Sequence, residues 1–309
     1  MNKTIHLISI LFLTLLSFSQ LKAQITQEWV QRYNGLGNNY DQALSMVVDG
    51  SGNVYVTGQS MGSGTGSDYA TIKYSTTGVP QWVARYNGSA NQDDCANSIA
   101  VDDSGNVYVT GWSRSGAVYG TEDYATIKYN SSGGQVWVAR YNGPGNYIDG
   151  GNSISVDDSG NVYVTGYSTG SGTSTDYVTI KYNSAGVQQW VARYNGPGNS
   201  YDYSYSIAVD GSGNVYVTGN SDGTTGSLRD YATIKYNSAG VQQWVKSYNG
   251  PGSQDDFAYS IGLDSSANVY VTGYSTGSGT GLDYATIKYS TAGIQQWVTR
   301  YNGPGNSND

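Results

Sequence analysis

Apolar and polar residues alternate one for one along most of this chain, in short runs separated by clusters of Gly, Ser, Asn and Asp. Four such runs stand between Asn142 and Tyr194: Ser153 to Asp157, Asn161 to Gly166, Asp176 to Tyr182 and Gln189 to Tyr194. A period of two built from Val, Ile, Thr, Tyr and Trp marks half-buried β-strands, and no stretch carries a helical period. The gaps hold turn chemistry. Asp157-Asp158-Ser159-Gly160-Asn161 and Asn183-Ser184-Ala185-Gly186 predict tight hairpins, with Asp and Asn side chains capping the turn and Gly free to take positive φ. A longer Gly/Ser/Thr loop, Tyr167 to Thr175, separates the second and third runs. Asn195-Gly196-Pro197-Gly198 ends the fourth, since Pro cannot continue a ladder.

This four-strand pattern repeats. Tyr33-Asn34-Gly35 returns at Tyr86, Tyr141, Tyr194, Tyr248 and Tyr301, every 53 to 55 residues. A four-stranded antiparallel sheet repeated at that period predicts an all-β fold, a β-propeller whose blades bury their faces against one another. A β-helix has shorter rungs and lacks two hairpins per period. Small Ser and Ala in the first strand suit the crowded axis, and Trp and Tyr in the fourth suit the rim. The predicted blades are 36-88, 89-143, 144-196, 197-250 and 251-303, within a domain spanning 24-309. Glu28 to Tyr33 reads as a fourth-type strand, an orphan outer strand over 24-35 with no blade before it, and 304-309 as the start of a further blade. The expectation is therefore a truncated ring of six or more blades. Five blades closing imperfectly, or staying open with unpaired edges, is the alternative.

Met1 to Ala23 has Lys3, an apolar run from Leu7 to Phe18 and small Ala23 before Gln24, the three-part layout of a signal peptide over 1-23, too short in its apolar run to span a bilayer. The expectation is a secreted or cell-surface product, extracellular with the periplasm as the other compartment open to it, and with no membrane insertion. Removal of the leader leaves thirteen basic residues against twenty-three acidic ones, a balance that repels nucleic acid. Cys95 is the only cysteine, so no internal disulfide forms. His6, the only histidine, leaves with the leader, which excludes a Ser/His/Asp triad, a Cys/His dyad and His-ligated metal.

The residues S-I-A-V-D-x-S-G-N-V-Y-V-T-G-Y-S, followed by D-Y-A-T-I-K-Y-N-S-A-G-V-Q-Q-W-V-A-R-Y-N-G, resemble the bacterial secreted β-propeller repeat known as the SBBP repeat. The resemblance covers essentially all of Gln27 to Asp309. It implies an extracellular propeller of about seven blades without an assigned activity, and it supplies no catalytic motif.

Candidate chemistry comes from positions that recur once per blade. Asp41, Asp94, Asp149, Asp202 and Asp256 each follow the repeat Tyr by eight residues, and Asp68, Asp123, Asp176, Asp230 and Asp283 close the long loops. As a ring of carboxylates at one mouth of the channel they would hold a cation, Ca2+ included, or a polyhydroxylated ligand; as turn formers they would cap loops. Asp49, Asp102, Asp157, Asp210 and Asp264 open the hairpins of the opposite face, where no closing Glu completes a calcium loop. At the exit of strand two the variable series Gln59, Trp112, Tyr167, Asn220 and Tyr274 offers rings that stack on sugars or partner side chains, with packing among the loops as the other reading. Trp112, Tyr167 and Tyr274 join the first Asp series as candidate ligand contacts; no cofactor and no catalytic residue is expected. Lys73, Lys128, Lys181, Lys235 and Lys288, with Arg85, Arg140, Arg193 and Arg300, read as structural charges on the outer strands.

Catalysis needs groups in different environments, and near-identical blades repeat the same ones. Glu122 and Glu28 are the only glutamates, and Cys95 has no base. The reading is a secreted, non-enzymatic binding or display module that contacts a glycan or a cell-surface protein through its long-loop face. The alternative is a carbohydrate-active enzyme, a glycoside hydrolase or lyase, using carboxylates at the channel mouth.

Overall fold

The computed structural model describes residues 26–223 and 228–308. The predicted leader at 1-23 and terminal Asp309 lie outside the described residues. Twenty strands form five separate four-stranded antiparallel sheets, each in chain order, and the described residues contain no helix. Blade 1 is β1 (Asp41–Val48), β2 (Val54–Met61), β3 (Ser67–Tyr74) and β4 (Pro80–Tyr86). Blade 2 is β5 (Asp94–Val101), β6 (Val107–Arg114), β7 (Glu122–Tyr129) and β8 (Gln135–Tyr141). Blade 3 is β9 (Asp149–Val156), β10 (Val162–Thr169), β11 (Thr175–Tyr182) and β12 (Gln188–Tyr194). Blade 4 is β13 (Asp202–Val209), β14 (Val215–Asp222), β15 (Arg229–Tyr236) and β16 (Gln242–Tyr248). Blade 5 is β17 (Asp256–Leu263), β18 (Val269–Thr276), β19 (Leu282–Tyr289) and β20 (Gln295–Tyr301). The innermost strands β1, β5, β9, β13 and β17 pack on one another in succession, the arrangement of a propeller.

Innermost strands begin earlier than alternation predicts. The cause is a bulge: Ser153 pairs with Thr165 but Gly151 with Gly166, so Asn152 is an extra residue and the alternation changes phase there. Leu44, Asn97, Tyr205 and Tyr259 occupy the same place in the other blades. The bulge drives a carbonyl toward the second strand, which is why Gly58, Gly111, Gly166, Gly219 and Gly273 stand opposite it: a Cβ at any of them would run into the carbonyl of Gln42, Cys95, Gly150, Tyr203 or Phe257. The second strands also run further than expected, so that Trp112, Tyr167 and Tyr274 are paired within strands.

The core lies between blades. Tyr55 and Tyr69 of blade 1 enter a cluster with Ile99, Val107, Val109 and Ile127 of blade 2, and equivalent clusters fill the next three junctions. Each junction adds polar latches. Tyr69, Tyr124, Tyr177 and Tyr231 donate to the carbonyls of Ala125, Val178, Ala232 and Ala285 in the following blade. The indoles of Trp82, Trp137, Trp190 and Trp244 lie against turn glycines Gly133, Gly186, Gly240 and Gly293, all at positive φ, and donate to carbonyls of those turns at 3.1 to 3.2 Å. At the opposite end of the blades, Asp157 accepts from the Ser159 and Asn161 amides, the Asn161 side chain and the Tyr163 hydroxyl, a knot repeated at Asp49, Asp102, Asp210 and Asp264. Lysine ammoniums sit about 5 Å over the Tyr rings of these knots, as Lys181 does over Tyr163 at 5.0 Å.

No packing comparable to that between successive blades joins blade 5 to blade 1 among the described residues. Tyr284, the counterpart of the buried latch tyrosines, is 55% exposed. On the facing side of blade 1, Leu44, Met46, Val56 and Ile72 line a cleft of about 660 Å³. Residues 26–35 take no strand conformation there. They nevertheless occupy the place of a preceding outer strand: Trp29 lies on Gly78 and Tyr74 as Trp82 lies on Gly133 and Tyr129, and Tyr33 accepts from Arg85 as Tyr86 does from Arg140.

Candidate functional site

The end of the blades that carries the long loops also carries the predicted contact residues, in two rows on opposite faces of each sheet. One row is polar and points back toward the preceding blade. In blade 2 it runs Asp94, Ser113, Asp123, paired across three strands, with Arg140 beside them on the fourth. Asp94, Asp149, Asp202 and Asp256 are fully buried, and each accepts from the amide of a glycine in the connection between blades, Gly88, Gly143, Gly196 or Gly250, at 2.6 to 2.7 Å. Asp41 accepts from Gly35 at 3.0 Å. Burial pushes the carboxyls of Asp94 and Asp202 up to about 6 and those of Asp149 and Asp256 above the usual range. This series therefore clamps the inter-blade connections, with its carboxylates inside the junctions.

The second series is clamped by arginine. The Arg140 guanidinium donates through Nη1 to Ser113 Oγ (2.7 Å) and Tyr86 of the preceding blade (3.1 Å), and through Nη2 to the Ser113 carbonyl (2.8 Å) and Asp123 (3.0 Å). Arg85, Arg193 and Arg300 repeat all four contacts. Blade 4 departs from the rule, with Ser247 in the arginine's place. The signal was in the sequence, because the series Arg85, Arg140, Arg193, Arg300 skips one repeat.

The other row points toward the following blade and is where the repeats diverge. Tyr167 packs on Tyr203 at 5.4 Å, and Tyr203 stacks with Tyr201. Tyr274 packs on Phe257 and Tyr259 at 5.0 and 5.7 Å, and Tyr259 on Tyr205 at 5.3 Å. Arg229, paired to Asp222 at 3.1 Å, sits over the Phe257 ring. The result is an aromatic wall across blades 3 to 5, half-buried at Tyr167, Tyr203 and Tyr274 and 49% exposed at Tyr259. Within it, Asn220 is fully buried and both its amide atoms lack a partner. Trp112, half-buried in blade 2, lies between Cys95 and Tyr124 on the neighbouring strands and makes no ring contact with this wall among the described residues. Tyr205 and Tyr259 were not anticipated, since each is the extra residue of a bulge and alternation assigns it no face.

Residues that break the repeat in blade 2 bind one another. Arg114 donates to Glu122 at 2.9 Å and to Asp93 at 3.2 Å, and the other Glu122 oxygen accepts from Gly120. Glu122 is buried, and both its oxygens are committed. Cys95 is buried, which pushes its thiol up to about 12. The described residues contain no group of three or more His, Cys, Asp or Glu able to hold a metal ion.

A β-propeller structure, the periplasmic gluconolactonase PpgL of Pseudomonas aeruginosa, superposes with a TM-score of 0.54 at 12% identity, covering 84% of this chain and 71% of that one. An ulvan lyase of polysaccharide lyase family PL25, bound to -[GlcA(1-4)Rha3S]-, superposes with a TM-score of 0.48 at 13% identity over 83% and 69% of the two chains. An uncharacterized WD repeat-containing protein of Acanthamoeba polyphaga mimivirus is 27% identical over 199 residues, which is 50% of this chain and 14% of the viral protein. The model of the SBBP β-propeller repeat matches five times, at residues 28–64, 81–116, 136–172, 189–225 and 243–279, and the chain belongs to that family.

Proposed function

We propose that the protein works outside the cytoplasm as a non-enzymatic binding or display module, and that its contact surface is the aromatic wall of blades 3 to 5, with Trp112 as an outlying contact. The observation that carries this reading is the run of half-buried rings, Tyr167, Tyr203 and Tyr274, with Tyr259 49% exposed beside them. Rings that present a face suit the apolar face of a sugar. The wall sits where the repeats differ, and the parts that hold blades together do not. Glu122, the carboxylate best placed for acid-base work by its singularity, has both oxygens committed, which disfavours the enzymatic alternative.

A glycan array with the purified protein, run beside a screen for polysaccharide depolymerisation and lactone hydrolysis, tests the reading. Binding reduced at least about tenfold by Tyr274→Ala or Tyr167→Ala, with no turnover, is the expected result. Turnover abolished by Glu122→Gln would overturn it.

A further inference from the structure

The junction between blades 3 and 4 keeps every acceptor of the arginine clamp and has lost the cation. Ser247 stands opposite Ala232 as Arg140 stands opposite Ala125, but its side chain is too short to reach the polar row. The remaining parts are in place: Tyr194 on the outer strand of blade 3, Ser221 on β14 and Asp230 paired beside it on β15. Ser221 is only 4% exposed and meets no cation, its Oγ lying at the limit of hydrogen bonding to Asp202 and Tyr194; in the four other blades that atom accepts from guanidinium Nη1 at 2.5 to 2.8 Å. The Asp230 side chain has no hydrogen bond or ion pair among the described residues, whereas those of its four counterparts are each paired to arginine at 2.8 to 3.0 Å. Burial, with the charge of Asp256 nearby, pushes its carboxyl up to about 6.

No neighbouring cation takes over. Arg229 is engaged with Asp222 and the Phe257 ring, and Lys246 lies against Gly293 on the side facing blade 5. We propose that this junction is a binding slot for a guanidinium group supplied from outside the chain, held by Tyr194, Ser221 and Asp230. The fork geometry selects guanidinium over a metal ion: the acceptors are spaced for four N–H donors in a plane, as four occupied copies in the same molecule show. Access is open, because the arginines seated in those copies keep 17 to 30% of their side chains exposed. Their own stems enter from the outer strand, so a ligand can follow the same path over Ser247, which is exposed. The slot lies in the polar row and is separate from the aromatic wall, so it stands or falls without it.

The test is a titration of the whole secreted chain at about pH 8, where Asp230 is ionised, with methylguanidinium chloride at about 10 mM against methylammonium chloride and sodium chloride at equal ionic strength. Methylguanidinium should raise the melting temperature by a few degrees beyond both controls and give one site by calorimetry. Ser247→Arg fills the slot from within and should abolish the binding while leaving the protein folded. Asp230→Asn should weaken it at least about tenfold, and Arg193→Ser should create a second site. N-acetylarginine amide and an Arg-containing tripeptide then separate a small ligand from a partner's side chain, by which of them binds more tightly. Equal shifts with methylammonium or sodium, no shift at all, or an undiminished shift in Ser247→Arg would overturn the proposal.

Discussion

The junction between blades 2 and 3 and the junction between blades 3 and 4 differ by one clamp. Both bury Tyr, Val and Ile from facing sheets, both seat a Trp on a turn glycine, and both carry a Tyr hydroxyl to a carbonyl of the next blade. Only the first has a guanidinium across the polar row, from Arg193 to Tyr141, Ser168 and Asp176. The fold therefore keeps two systems at each junction that can be separated. Apolar burial and the Trp and Tyr latches hold the blades, and the ion clamp satisfies a buried acidic row that would otherwise carry an unpaired charge. Where the clamp is missing, the acidic row remains and becomes available.

The substitution expected to break this comparison most severely is Trp190→Ala, which removes the indole seated on Gly240 and its hydrogen bond to the Ser238 carbonyl; urea unfolding should show a loss of about 3 kcal/mol, while Trp297→Ala, at a ring already 41% exposed, should cost under about 1 kcal/mol. Arg193→Ser copies the 3–4 junction into the 2–3 junction. It leaves buried Asp176 unpaired and should cost about 2 to 3 kcal/mol, reduced when Asp176→Asn is added, as a double-mutant cycle would measure. The reciprocal change, Ser247→Arg, should stabilise by about 1 kcal/mol and raise the melting temperature.

A further effect is that of pH. Asp94, Asp202 and Asp230 have folded-state values near 6, above the unfolded value, so each favours the fold when protonated; that contribution is full below about pH 4 and is lost as pH rises through about 6. The turn residues Asp102 and Asp157, lowered by the hydrogen bonds of their knots despite some burial, work the other way, contributing above about pH 4 and losing that contribution as pH falls. Melting temperature should therefore fall between about pH 4.5 and 7, with a shallower slope in Ser247→Arg, where Asp230 is paired. A rise over that range would contradict the assignment.

Much of the site's placement was visible in the chain. The Asp, Lys and Arg series follow from period counting, and so does the variable position at Trp112, Tyr167 and Tyr274. Three things were not visible. Asp149 looked like a residue before its strand because the bulge at Asn152 hides the strand's first half from an alternation rule. Tyr205 and Tyr259 acquire their orientation only from such bulges. The value of Ser247 appeared only once four arginines were seen to converge on one set of acceptors.

By itself the sequence determined the strand order, the five blades and the hairpin chemistry, because each is a local property repeated at a fixed period; the strand it predicted at Trp29 is not formed, although the segment keeps the contacts of an outer strand. Tertiary structure decided which blade faces which, and hence which charges are paired, which aromatics join into a wall and which acceptors are left open. Those are mostly properties of contacts between residues 17 to 56 positions apart, and local alternation carries no information about them.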